Sequence, residues 1–298
     1  MVITSLPKQF RETLRDKLLE LLWRQWRTLG VSAHGQETDH LLDLEALILA
    51  TAAAGAHDRR LLEASHQWLR YFRGWVNLAR LRRMSAAFAR PNAPLKQPLI
   101  ARQLWEELLS GLTRSPNKRG VNPVAAPPLL KKPPLLQLYL RGIFGINARV
   151  EILIYLFLET RGNSNQISRE IDFDQKNVYR ILERWVEAGF VHKESGKKQN
   201  FYSLERGRNL LPNIQAPFAF WSWSRFFQLY ARLLAAASTA PWSADAYLLS
   251  SFFRDIHAQA ASLSRSAGIP LPDPDLHPGA ELFAPMAQAL TNLTDRFQ

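Results

Sequence analysis

Apolar residues recur every three to four positions along most of this chain, the spacing of helices that bury one face. Leu14, Leu18, Leu21, Leu22 and Trp26 form the first such stripe, with Lys and Arg on the other faces. A second apolar run covers Leu41 to Ala54 and stops at Gly55. A third extends from Arg59 to Met84 through Leu62, Trp68, Leu69, Phe72, Trp75, Val76 and Leu81, and a further helix is expected over Ile100 to Leu112. The pattern then breaks. Residues 115–134 read SPNKRGVNPVAAPPLLKKPP, with six prolines, which remove the backbone donors that helices and central strands need; an extended linker is predicted there. Helical spacing resumes over residues 213–266 through the aromatic run FAFWSWSRFFQLY. GIPLPDPDLHPG reads as a loop, and a last short helix is expected over Glu281 to Phe297.

Between residues 135 and 207 the period switches from helix to strand. NARVEILIYLFLETRG opens with Asn147, a helix cap, and holds Val150, Leu153, Ile154, Phe157 and Leu158, apolar nearly all round as befits a central helix. Gly162 ends it. Asn163 and Gln166 then make a capping-box-like start for a second helix, whose Ile167 and Ile171 lie one turn apart. The turn Asp172-Phe173-Asp174 lacks the glycine often found between two such helices, with Phe173 as a plug and Asp174 as the next cap. Val178, Ile181, Leu182 and Trp185 form the buried stripe of a third helix, predicted over 175–188. Lys176, Arg180, Glu183, Arg184 and Glu187 fall on its other side, with Gln175, Asn177 and Tyr179 at its leading edge. Gly189 stops it. Strands Phe190–Glu194 and Asn200–Leu204 flank the turn Ser195-Gly196-Lys197-Lys198, a hairpin with two cations at its tip.

NARVEILIYLF, QISREIDFDQKNVYRILERWVEAGFV and FYSLE together resemble the winged helix-turn-helix domains of bacterial transcriptional regulators of the broad MarR and ArsR type. The resemblance covers about 70 residues. It implies that the second helix positions the unit through Ser168 and Arg169. It implies equally that the third helix reads bases through Gln175, Lys176, Asn177, Tyr179, Arg180 and Arg184, and that Lys197 and Lys198 of the wing (190–204) hold phosphates. Most such proteins are homodimers. Gln and Asn suit adenine edges and Arg suits guanine. Winged helices also dock proteins, as in the partners of nucleotidyltransferase-type toxins, so an interaction subunit or antitoxin-like partner is the alternative.

Charge changes the picture. The chain carries 38 Lys and Arg against 26 Asp and Glu, a formal net charge of +12, which favours an anionic partner. Residues 1–134 hold +10 of that excess, residues 135–207 only +2, and residues 208–298 none. Two readings of Arg59, Arg60, Arg70, Arg73, Arg80, Arg82 and Arg83 follow: a second surface for DNA backbone, or solvated helix faces whose stems cover apolar surface. The linker cations Lys118, Arg119, Lys131 and Lys132 read as solvated.

Other chemistry is sparse. There is no cysteine, which removes disulfides and thiolate sites. The seven histidines show no metal-ligand spacing, and no P-loop, GxGxxG or GxSxG occurs. No cofactor, metal or catalytic residue is therefore expected, and the protein reads as a non-enzyme. The start lacks the apolar core of a signal peptide, and no apolar segment is long enough for a bilayer; a cytoplasmic location without membrane contact is expected. The aromatics Phe218, Phe220, Trp221, Trp223, Phe226, Phe227 and Tyr230 fit either a dimer interface or effector pocket, or packing against the N-terminal helices. The expected architecture is mainly α. It comprises a helical region (1–114), a Pro-rich linker (115–134), a winged helix-turn-helix (135–207) and C-terminal helices (208–298). The expected function is sequence-specific binding of double-stranded DNA by a homodimeric regulator, with operator and effector left open.

Overall fold

Short polar residues set most of the helix starts. In a computed structural model, which describes residues 5–89, 98–113, 128–159, 161–196, 198–204 and 219–297, Asp43 accepts from the backbone N–H of Ala46 and Asp58 from those of Arg60 and Leu61. Asn163, Asp174 and Asp245 do the same for the helices that follow them. Each satisfies a donor that the first turn leaves open. The described helices are α1 (Ser5–Thr28), α2 (Leu44–Ala54), α3 (Arg59–Phe72), α4 (Leu78–Ala89), α5 (Arg102–Thr113), α6 (Leu136–Phe144), α7 (Ala148–Glu159), α8 (Ser164–Glu170), α9 (Gln175–Glu187), α10 (Trp223–Ser238), α11 (Ala246–Ala267) and α12 (Phe283–Asp295). Strands β1 (Val191–Ser195) and β2 (Asn200–Leu204) pair antiparallel, Val191 opposite Leu204 and Ser195 opposite Asn200. The described residues are thus mainly helical with one small two-stranded sheet. None of the described helices is long and apolar enough to cross a membrane.

Two long helical runs are interrupted. The stripe from Arg59 to Met84 breaks into α3, a single 3₁₀ turn at Arg73–Trp75, and α4. Asn77 forces the second break: its side-chain oxygen accepts from the Arg80 N–H at 3.0 Å, capping a new helix. The run over residues 213–266 breaks likewise before Pro241, which has no N–H to donate. The linker expected over 115–134 falls largely outside the described residues. Its last residue is packed: Pro134 is buried and its carbonyl accepts from the Leu42 N–H at 2.9 Å. Lys132 pairs with Glu37 at 2.6 Å rather than standing free.

One apolar core joins the two ends of the chain. Leu14, Leu21, Trp26, Leu47 and Trp68 share it with Trp223, Phe226, Phe227, Phe252, Phe253 and Leu290. The aromatic run is therefore interior: Trp223 stacks on Phe227 with ring centroids 5.2 Å apart, and Phe226 on Tyr230 at 4.3 Å. These rings have no surface to offer a second copy. Phe220 and Trp221 are half-buried, and Phe218 lies outside the described residues. A second core, with Ile152, Tyr155, Ile167, Val178, Leu182 and Tyr202, belongs to α7–α9 and the hairpin. Leu41 meets Leu136, Leu140, Val150 and Ile154 in a third, which joins the two.

A buried ionic network crosses that join. Arg141 of α6 reaches Glu45 of α2 at 2.7 Å and Glu151 of α7 at 2.6 Å. Arg80 of α4 reaches the same Glu45 at 2.8 Å and Asp43 at 2.6 Å. Its Nε also donates to the carbonyl of Ile171, in the turn between α8 and α9. Gln137 completes the set, donating to Glu151 and accepting from the Leu44 N–H. Charges removed from water are tolerable only when so fully paired. Arg80 is 2% exposed, so the reading of it as a DNA-backbone cation is overturned: it fastens α7–α9 to the helical body.

Candidate nucleic-acid interface

Four local features present α9. First, Asn147 caps α7 through the Arg149 N–H at 2.9 Å. Second, α7 ends at Glu159, before the predicted stop; Gly162 instead exchanges two backbone hydrogen bonds with Tyr202, at 3.0 and 2.8 Å. A Cβ there would stand 2.8 Å from the Tyr155 ring, so the glycine is required by close packing. Third, the turn without glycine works because Asp172 itself takes the left-handed conformation, φ 56°; Asp and Asn accept that region more readily than most residues. Fourth, Gly189, at φ 67°, stops α9 and turns the chain into β1.

Val178, Ile181 and Leu182 are buried and Trp185 half-buried, while Gln175, Lys176, Tyr179, Arg180 and Arg184 face solvent. Tyr179 is 40% exposed. Asn177 is half-buried. Lys176, Arg180 and Arg184 form no ion pair among the described residues. Glu183 departs from its expected outward position. Its carboxylate accepts from the Tyr202 hydroxyl at 2.6 Å and pairs with Lys193 at 2.9 Å, tying α9 to both strands. Burial pulls its pKa up, but those two donors hold it below the ordinary carboxylate range.

Of the α8 residues, Arg169 is exposed, but Ser168 is 5% exposed and its hydroxyl donates to the Asn165 carbonyl of its own helix. Ser168 therefore faces inward. At the hairpin tip Lys198 is exposed, and Lys197 lies outside the described residues. The sequence reading missed Arg149. It is exposed in the first turn of α7 and lines a cleft of about 150 Å³ with Asn177, Arg180 and Arg184. The Asn147 cap is the signal that could have placed it in the first turn of α7.

The N-terminal cations behave differently. Arg59 is held by Glu107 at 2.7 Å and Glu63 at 3.0 Å, Arg102 by Glu106 at 2.8 Å and Arg27 by Glu20 at 3.0 Å. Arg60, Arg82 and Arg83 remain exposed. Formal charge by region is thus a poor guide to available charge, because carboxylates in the body already engage several of its arginines. No group of His, Asp or Glu among the described residues is arranged to hold a metal ion. Comparison with protein-family models, curated proteins and solved structures finds no match.

Proposed function

We propose that residues 135–207 are a winged helix-turn-helix and that the protein binds double-stranded DNA through it, acting as a homodimeric transcriptional regulator. One observation carries the reading: the outward face of α9 is open and bears Lys176, Arg180 and Arg184 without acidic partners among the described residues. A helix of this width fits the major groove, where bidentate arginine distinguishes guanine. Arg169, Lys198 and Arg149 stand on neighbouring elements, suited to flanking phosphates. Wing and helix share Glu183, so a duplex would meet them as one rigid piece.

The test is selection of bound duplexes from random DNA, followed by titration of the selected site and of scrambled DNA across salt. The expected result is a selected consensus with two related half-sites, bound more tightly than scrambled sequence, with affinity falling steeply as salt rises. Failure to bind any duplex at low salt overturns the reading and leaves α9 as a docking face for a protein partner. Mass in solution tests the homodimer.

A further inference from the structure

The cleft between the first turn of α7 and the flank of α9 holds about 150 Å³, and no Asp or Glu lines it. One water needs on the order of 10–15 Å³ of such space, so the cleft takes a group of several heavy atoms. Arg180 and Arg184 stand one turn apart on α9, where helical side chains are neighbours. Arg149 enters from α7, and Asn177 adds an amide that can donate.

The carboxylates within one turn of these arginines do not neutralise them. Glu151, in the first turn of α7, is taken by Arg141 at 2.6 Å. Glu183 is held by Tyr202 and Lys193. Glu187 is exposed and forms no ion pair among the described residues. Arg149, Arg180 and Arg184 form none either, unlike Arg59, Arg102 and Arg141. All three are exposed, so their donors are open to a ligand.

Three guanidiniums and the positive end of a helix therefore share one small concavity. A guanidinium matches phosphate oxygens through its paired N–H donors. The phosphodiester of a duplex offers a single charge and two free oxygens. A phosphate monoester carries between about −1.5 and −2 near neutral pH and three acceptor oxygens, one for each arginine. The charge and the donor count of the cleft suit the monoester better.

We infer that this cleft seats the terminal phosphate of a small phosphate monoester, shared by Arg149, Arg180 and Arg184. Because Arg180 and Arg184 also belong to the outward face of α9, a bound monoester and a duplex exclude one another. The seat is measured without DNA; only that competition rests on the nucleic-acid reading. Methyl phosphate is the probe. Dimethyl phosphate, a diester with a single charge, is the control, both at constant ionic strength near neutral pH. Backbone amide resonances of Ala148, Asn177 and Arg184 report occupancy, with those of the exposed Arg60 and Arg82 as references. Methyl phosphate at millimolar concentration is expected to shift the cleft resonances saturably and leave the references in place. Dimethyl phosphate should bind about tenfold more weakly. Arg149→Ala and Arg184→Ala should each weaken the titration about tenfold, and Arg149→Lys, which keeps the charge but not the fork, about threefold. The remaining amide resonances report that each variant is folded. Equal affinity for dimethyl phosphate, a shift shared by Arg60 and Arg82, or an unchanged titration in Arg149→Ala overturns the proposal. On the selected duplex, methyl phosphate should displace DNA at the concentration that fills the cleft. Simultaneous binding of both overturns the exclusion and leaves the nucleic-acid reading intact, whereas a protein that binds methyl phosphate and no duplex keeps the seat and loses that reading.

Discussion

Arg80 of α4 donates its Nε–H to the carbonyl of Ile171 at 2.9 Å, linking the body to the turn that aims α9. That carbonyl closes α8, so the orientation of the exposed helix rests on a guanidinium held by Asp43 and Glu45. Truncating the arginine leaves Asp43 without its cation and takes one of two from the buried Glu45, which Arg141 still holds. Arg80→Ala is expected to lower stability by about 3–5 kcal/mol in urea denaturation. It should also raise amide exchange over Phe173–Asn177 more than Arg141→Ala does, since Arg141 touches α7 and not the turn.

Asp172 makes that same turn sensitive to pH. Burial pushes its carboxyl up to about 6 against the pull of nearby Arg80. A folded-state pKa above the unfolded value means that the folded form holds the proton more tightly. Asp172 therefore favours the fold at low pH, and that contribution is lost as pH rises from about 4 to about 6. A quarter of the side chain remains exposed, which limits the effect to about 1–2 kcal/mol. His40 and Asp43, both lowered, act in the opposite sense. The readout is accordingly a difference: Asp172→Asn, which also tolerates positive φ, should lose that fall in stability relative to the parent across pH 4 to about 6.

Tyr202→Phe removes the hydroxyl that Glu183 accepts at 2.6 Å while leaving the buried ring in place. A loss of about 1 kcal/mol is expected. Because Lys193 still holds Glu183, the hairpin should keep its pairing, seen as preserved cross-strand contacts between Lys193 and residue 202 in NMR spectra. Loss of those contacts would show the hydroxyl, not the ion pair, to be the main tie.

On DNA, Arg180→Ala should reduce discrimination between the selected site and random duplex by about 1–3 kcal/mol. Lys198→Ala should instead weaken all duplexes alike and flatten the log–log salt dependence by about one unit. Arg149→Ala should follow Lys198, because the first turn of α7 stands beside the cleft and off the leading edge of α9. Competition titrations at several salt concentrations separate the two behaviours.

Phe226→Ala is expected to cost about 3–5 kcal/mol, since the ring is fully buried against Trp223 and Tyr230. The mass of the folded protein in solution should not change. A shift in oligomeric state without loss of stability would return the aromatic helix to an interface role.

Much of α7–α9 was legible because each signal there is local. Asn147, Asn163 and Asp174 cap within three residues, Val178, Ile181 and Leu182 repeat at helical spacing, and Gly189 marks a stop. β1 begins one residue later than expected, at Val191. Partners distant in sequence were not legible. Nothing near Arg80 announces that its acceptor is 91 residues away, and nothing near Glu183 announces Tyr202. Formal charge misleads for the same reason: Arg59 looks like a free cation until Glu107, 48 residues on, is folded against it.

The shared core of α1, α2, α10, α11 and α12 has a consequence for how the molecule is assembled. The leucines of α1 lack the apolar neighbours that α10, α11 and α12 supply until Phe252, Phe253 and Leu290 have been synthesised. An amino-terminal fragment ending before α10 would expose a long greasy stripe and should aggregate or be degraded. The unit spanning α7 to the hairpin, with its own Ile152, Ile167 and Leu182 interior, has most of what it needs while the ribosome is still working on the remainder.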